Sequence, residues 1–318
     1  MSVPSQIFVK YGVTESYIDV TAIAMTKCVR DNMLIIPASD YGRAEIFGDP
    51  AFGKLKHIVV TKDGKETFYF DNEFIYISVF PGEPVIDTTD KRYWFDRTIT
   101  DPVAKLSMIH SFLRFTGGNI KDEYPEQLMA ATFIEKHNKV LEIGSNIGRN
   151  TLTIATILEN QENLVTLESD VNTCVALKQN MDLNGYKFHI EPSALSYRKL
   201  IQNHWDTIPS DVVLPGYKPV NTITFQELEA KYNIQFDTLV ADCEGALYYI
   251  LLDYSDMLNN IKTVIMENDY RDGNHKAAVD KVLVSKGFKR VYVESGGWGP
   301  CFVCFYEAWI KDSLVSRS

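Results

Sequence analysis

The sequence predicts an α/β chain in two parts: an open, mostly parallel sheet with helices over residues 123–318, preceded by a small all-β domain over residues 1–80. Three observations predict this. From Lys139 onward short apolar runs alternate with helical stretches, the signature of parallel strands joined by crossover helices. Up to about Val79 the runs are instead short, β-branched and aromatic, with turn residues between them. Between the two, Pro81-Gly82-Glu83-Pro84 breaks the pattern, so residues 81–122 read as a linker and helical segment.

In the first part, Tyr17-Ile18-Asp19-Val20-Thr21, Met33-Leu34-Ile35-Ile36, His57-Ile58-Val59-Val60-Thr61, Thr67-Phe68-Tyr69-Phe70 and Phe74-Ile75-Tyr76-Ile77-Ser78-Val79 read as strands. Asp63-Gly64 lies between two of them and reads as a hairpin turn, because both residues tolerate the positive φ of a tight turn. The aromatic residues here are expected in the core rather than in a carbohydrate platform. Helices are expected from Val103 to Phe115 and from Glu123 to Ile134, where Tyr124, Leu128, Met129 and Phe133 recur at helical spacing.

A chain of 318 residues favours two domains, and 45% hydrophobic with 23% charged content is ordinary for a globular protein. The formal net charge of -10 argues against a general nucleic-acid binder, whose affinity comes from neutralising phosphates. The N-terminal MSVPSQIFVKYG shows no signal-peptide pattern, and no apolar run reaches the ~20 residues that span a bilayer. Five scattered cysteines fit a reducing compartment, so a cytoplasmic protein is expected. Cys301-x-x-Cys304 sits in what reads as a buried strand, where residues three apart face opposite ways, and no second pair completes a metal site. Inert core cysteines are therefore expected.

The chemistry gathers at the strand ends of the second part. Lys139-Val140-Leu141-Glu142, Leu164-Val165-Thr166-Leu167-Glu168, Asp237-Thr238-Leu239-Val240-Ala241-Asp242 and Thr263-Val264-Ile265-Met266-Glu267 each end in a carboxylate. Ligands of open α/β sheets bind outside those carboxyl ends, near the switch in strand order. Four acids along that rim suit hydroxyls and a cation better than phosphates. The most specific element is Val140-Leu141-Glu142-Ile143-Gly144-Ser145-Asn146-Ile147-Gly148, whose glycines permit a tight turn beside a ligand at a helix N-terminus. A nicotinamide-dinucleotide loop needs G-x-G-x-x-G; here the third glycine is absent, and the spacing E-x-G-x-x-x-G suits a methionine moiety without pyrophosphate. Glu168 follows Gly148 by 20 residues, where an acid accepts hydrogen bonds from both ribose hydroxyls. Glu191-Pro192-Ser193-Ala194-Leu195 falls where an adenine would rest. The expected cofactor-binding set is Glu142, Gly144, Ser145, Asn146, Gly148, Asn150, Glu168, Ser169, Ser193, Ala194 and Asp242.

From about Tyr124 to Ile310 the chain resembles the FkbM-type methyltransferases. The resemblance rests on Leu141 to Gly148, Leu167-Glu168-Ser169-Asp170, Asn180-x-x-x-Asn184, Asn221-Thr222-Ile223-Thr224-Phe225-Gln226-Glu227-Leu228 and Asp242-Cys243-Glu244-Gly245-Ala246. It implies a class I, Rossmann-like fold with a seven-stranded sheet ending in a C-terminal antiparallel hairpin, here Phe288 to Val293 and Cys301 to Ile310. It also implies S-adenosylmethionine as cofactor, S-adenosylhomocysteine as product, and methyl transfer to a hydroxyl on a sugar, glycan or other small metabolite. Two positions depart from the family: Val240 stands where a lysine is common, and Ser169 replaces a proline.

The base that takes the hydroxyl proton is expected at Asp242 or Glu244, with Glu267 or His275 as further candidates. The alternative is Mg²⁺ on Asp242, Glu267 and Asp269, lowering the acceptor's pKa; the metal-free reading is preferred. Glu244 can equally cap the following helix, and Trp298 can stack on a sugar or pack back on the domain. The competing functions are a methyltransferase acting on RNA or protein, a non-catalytic binding protein on this scaffold, and a nicotinamide-dependent oxidoreductase.

Overall fold

The computed structural model describes residues 5–30, 32–37, 40–71, 73, 75–80, 92 and 95–312. The Pro81-Gly82-Glu83-Pro84 break lies outside them. The chain divides into two compact units, residues 1–99 with 107–113, and residues 100–106 with 114–318.

The first unit starts with a hairpin of β1 (Ile7–Val13) and β2 (Ser16–Asp19), followed by α1 (Thr21–Lys27), β3 (Val29–Arg30) and β4 (Met33–Ile36). Then come α2 (Asp40–Phe47), β5 (His57–Lys62), β6 (Lys65–Tyr69) and β7 (Ile75–Ser78). They make two antiparallel sheets, ordered β2-β1-β5-β6 and β3-β4-β7. The Asp63-Gly64 turn joins β5 to β6 with φ of 49° and 83°, as expected.

The unit is not all-β, because α1 and α2 pack into it. Asp19 accepts a hydrogen bond from the Thr21 amide at the start of α1, and the helix buries Ala24 among Val9, Val20 and Leu34. α2 buries Arg43 completely; its guanidinium donates to the carbonyls of Pro37, Phe70 and Glu73 at 2.8, 2.8 and 2.5 Å. A charged residue that satisfies three carbonyls acts as a core strut, which hydrophobic periodicity does not reveal. The aromatic residues divide as well. Tyr11 and Phe47 are core, whereas Phe8, Phe68 and Phe70 are exposed on the unit's surface.

α3 (Pro102–Phe112) follows in the chain. The second unit continues through α4 (Tyr124–Phe133), β8 (Val140–Ile143), α5 (Arg149–Ile157), β9 (Leu164–Leu167), α6 (Val171–Leu183) and β10 (His189–Glu191). Four short strands come next, β11 (Ala194–Leu195), β12 (Leu200–Asn203), β13 (Asp206–Pro209) and β14 (Lys218–Val220), then β15 (Thr222–Ile223). The unit closes with α7 (Phe225–Tyr232), β16 (Thr238–Ala241), α8 (Leu247–Tyr254), β17 (Thr263–Glu267), α9 (Gly273–Ser285), β18 (Phe288–Glu294) and β19 (Tyr306–Lys311).

Seven strands form one sheet in the order β10-β9-β8-β16-β17-β19-β18. The first five are parallel, and β19 runs antiparallel to both β17 and β18. β8, β9 and β16 are buried at every residue, as strands covered by helices on both faces must be. Strand order reverses between β8 and β16, so the crevice beyond their carboxyl ends is where a ligand has room.

Local chemistry fixes the helices. Asp170 caps α6 by accepting from the amides of Asn172 and Thr173, and Thr224 with Glu227 forms a capping box on α7. On α6, Asn180 bonds the backbone of Thr116 and Ile147, and Asn184 bonds that of Arg114. The two asparagines thus tie the segment before α4 and the loop after β8 to one helix.

The sequence reading of 301–304 as strand is corrected. Gly299–Cys304 is a 3-10 turn, and the strand begins only at Tyr306. Residues three apart on such a turn lie on the same side, not on opposite faces. Cys301 is buried, Cys304 half-buried, and burial pushes both thiols up, so they remain unreactive for a different reason.

Candidate functional site

A cavity of about 320 Å³ opens at the carboxyl ends of β8, β9, β10, β16 and β17. Its floor is the loop after β8. Gly144 has φ of 88°, and a Cβ there would lie 1.5 Å from the Asp242 carbonyl oxygen. Only glycine fits where the loop crosses the end of β16. The Gly144 and Ser145 amides both donate to the Leu167 carbonyl, at 3.0 and 3.2 Å, which locks the loop against β9. Gly148 caps α5 at φ of 99°, with Leu177 crowding the place of a Cβ.

At one end of the cavity stands Glu168. Its two oxygens accept from the amides of Asn146 (3.0 Å) and Asp170 (2.8 Å). Burial raises its pKa, against the pull of those amide bonds. A carboxylate has about four lone-pair positions, so Glu168 keeps acceptor capacity for a neutral donor. Ser169, Ser193 and Ala194 line the same end.

At the other end, Glu126, Asp242 and Glu267 each bring a carboxylate oxygen within 4.8 Å of the others. Burial and then the Glu267 charge push the Asp242 carboxyl well up. Glu126 is pushed up by burial and by the Asp242 charge, and hydrogen-bonds Glu267. Three carboxylates this close cannot all ionise without a proton or a cation between them. Oxygen ligands in such a trio can hold a hard divalent cation. The set differs from the one expected from sequence, with Glu126 in place of Asp269. Asp269 instead pairs with Glu244, and burial followed by the Glu244 charge raises it to about 8. Glu244 lines the cavity with a φ of 52°.

Of the residues expected from sequence, Gly144, Asn146, Glu168, Ser169, Ser193, Ala194, Asp242, Glu244 and Glu267 line this one cavity. Ser145 and Gly148 do not; they shape the loop instead. Asn150 is buried in α5, away from the lining. Glu142 is corrected from a ligand contact to a core residue. It is 1% exposed, and one oxygen accepts from Thr151 (2.7 Å) and Thr166 (2.6 Å). Strand alternation turns it into the helix layer, and burial pushes it up to about 7. His275 is corrected too. It stacks on Tyr248 with ring centres 3.9 Å apart and lies outside the lining, as does half-exposed Trp298.

Sequence reasoning missed two walls. α4 contributes Glu123 and Glu126, and Glu123 pairs with Arg149 at 2.9 Å. Its only sequence signal was an acid in the first turn after Pro125. The second wall is the antiparallel sheet β13-β12-β14, which lends Leu200, Gln202, Trp205 and Thr207. No lysine, arginine or histidine lines the cavity among the described residues.

No family model matches this sequence, and no curated protein matches it. Solved structures do resemble it. A ribosomal protein L11 methylase from Lactobacillus delbrueckii subsp. bulgaricus is 15% identical over 63% of this chain and 84% of its own, with a TM-score of 0.41. An O-methyltransferase from Bacillus cereus, in complex with S-adenosylhomocysteine (SAH), is 14% identical over 68% of this chain and 91% of its own, with a TM-score of 0.38. A putative tRNA (m1A22) methyltransferase from Streptococcus pneumoniae, in complex with S-adenosyl-L-methionine, is 14% identical over 58% and 71%, also at 0.38. Likenesses this distant assign neither family nor substrate to the chain.

Proposed function

We propose that the chain is an S-adenosylmethionine-dependent O-methyltransferase of class I architecture, acting on a hydroxyl of a sugar or other small metabolite. One observation carries the reading: a glycine-built loop, an amide-held Glu168 and the trio of Glu126, Asp242 and Glu267 face one cavity at the switch in strand order. When bound, the cofactor supplies an electrophilic methyl on a sulfonium.

This chain's residues do the rest. Glu168 binds the ribose hydroxyls, Ser193 and Ala194 border the adenine, and the Gly144–Asn146 backbone follows the methionine moiety. The fit that favours this ligand is Glu168 at one end of the cavity, with Ser169, Ser193 and Ala194 lining the same end and the Gly144–Asn146 loop packed tightly enough on the end of β16 to leave the cavity open. Asp242 accepts the acceptor's proton as the hydroxyl attacks, and Glu126 and Glu267 hold that proton within the trio. Positioning supplies much of the rate in such a displacement. If the trio holds Mg²⁺ instead, the same three oxygens bind it and the ion lowers the hydroxyl's pKa. A nicotinamide dinucleotide fits poorly, for the loop lacks the third glycine and, among the described residues, no cation lines the cavity to face its phosphates. The acidic lining likewise disfavours RNA as acceptor.

Calorimetric titration with S-adenosylmethionine, SAH and NAD tests the reading. The expected result is saturable heat with the first two and none with NAD. NAD binding without any response to SAH overturns it.

A further inference from the structure

The sheet of residues 200–220 is inserted between β11 and β15, and one of its faces belongs to the cavity. Gln202 on β12 and Thr207 on β13 are direct cross-strand partners, so their side chains share a face, with Leu200 two residues along. His204, at φ of 52°, turns the hairpin and presents Trp205 at the cavity mouth. Trp205 lines the cavity and is yet 61% exposed. The Gln202 amide, the Thr207 hydroxyl and the Trp205 indole N–H have no side-chain hydrogen bond to any described residue. The insert itself is held. Ile201 is buried, Tyr217 bonds Asp206, and Lys218 pairs with Asp170 at 3.1 Å. An aromatic face beside an open amide and an open hydroxyl, on an anchored sheet, is the chemistry that grips a hydroxyl-bearing ring.

Charge narrows the ring further. Glu123, Glu126, Glu168, Asp242, Glu244 and Glu267 face the cavity with no lining cation among the described residues. Phosphate is bound by arginine, lysine, metal or the amides of a helix N-terminus, and beside the insert it would meet carboxylates in a partly desolvated space instead.

We propose that this insert is the acceptor wall: Trp205 is the platform for the acceptor ring, Gln202 and Thr207 bond its hydroxyls, and the site refuses phosphorylated acceptors. The proposal rests on the methyltransferase reading and specifies its acceptor. It uses side chains separate from Gly144, Asn146 and Glu168, which hold the cofactor.

The test is saturation-transfer NMR and calorimetry on the whole chain with SAH present, using methyl α-glucopyranoside, glucosamine and glucose 6-phosphate as probes. Methyl glucoside or glucosamine is expected to bind, and glucose 6-phosphate is not. Trp205→Ala should weaken that sugar binding about tenfold, the loss of one stacking face, and leave SAH affinity within about twofold. Trp205→Phe should retain most of the binding, which separates stacking from folding. Equal binding of glucose 6-phosphate, no sugar binding to a chain that takes up SAH, or an SAH affinity that falls with Trp205→Ala would each overturn the wall. Failure of SAH itself to bind the unaltered chain would instead remove the methyltransferase reading.

Discussion

The two ends of the cavity hold their carboxylates in opposite ways. Glu168 is satisfied by backbone amides on both oxygens, each within hydrogen-bond reach, and the Asp170 charge beside it acts less on it than its burial and its two strongest amide bonds do. Asp242 is surrounded by acids, with Glu126 and Glu267 within 4.8 Å. An amide-held carboxylate is fixed in orientation and suits neutral donors such as a ribose diol. A carboxylate among carboxylates holds a shared proton or a cation, and its charge changes with what enters. Burial alone does not create the difference, for both ends are deeply buried; the partner type does.

The largest expected effect breaks this contrast at its acidic end. Asp242→Asn should lower methyl transfer about 10²–10⁴-fold, the usual range for loss of a positioned base, while SAH affinity changes little. Assaying the unaltered chain in excess EDTA sharpens it. Full turnover assigns the trio to proton transfer, and loss restored by Mg²⁺ assigns it to a metal.

The next prediction concerns Glu142, buried yet outside the cavity. Its folded pKa of about 7 lies above the unfolded value of 4.5, so its stabilising contribution is complete below the unfolded value and lost as pH rises through the folded one. Urea unfolding at pH 5 and pH 8 should therefore show the unaltered chain losing roughly 2.5 kcal/mol relative to Glu142→Gln. An unchanged difference between the two pH values would mean that Thr151 and Thr166 keep Glu142 ionised throughout.

The smallest effect tests the amide-held end. Glu168→Ala should weaken SAH binding by about 1–3 kcal/mol, the loss of buried hydrogen bonds to ribose, with the acceptor's KM little altered. Unchanged SAH affinity would move the ribose elsewhere.

What was legible in the sequence was local. The glycines of the loop after β8, the acid ending β9 and the Asp242–Glu244 segment announce themselves within a few residues of a strand end, because tight turns and strand termini constrain residue type. The strand-end rule also misled at Glu142, where the period of the strand turns the side chain into the helix layer. Glu126 and Trp205 were illegible for another reason. They reach the cavity from a helix ahead of the sheet and from a hairpin inserted within it, and only tertiary packing decides where those elements lie. The same holds for α1, whose seven residues sit among strand-like runs and are helical where Asp19 holds their first amide.

Gly144 carries a consequence for how such a site can diversify. With 1.5 Å between its missing Cβ and the Asp242 carbonyl, the loop that floors the cavity and the strand end bearing Asp242 form one joint. A substitution there displaces both, so neither the cavity floor nor the position of Asp242 can drift alone. Changes of acceptor are therefore channelled into the hairpin around Trp205, which carries none of the trio and can vary while the floor stays as it is.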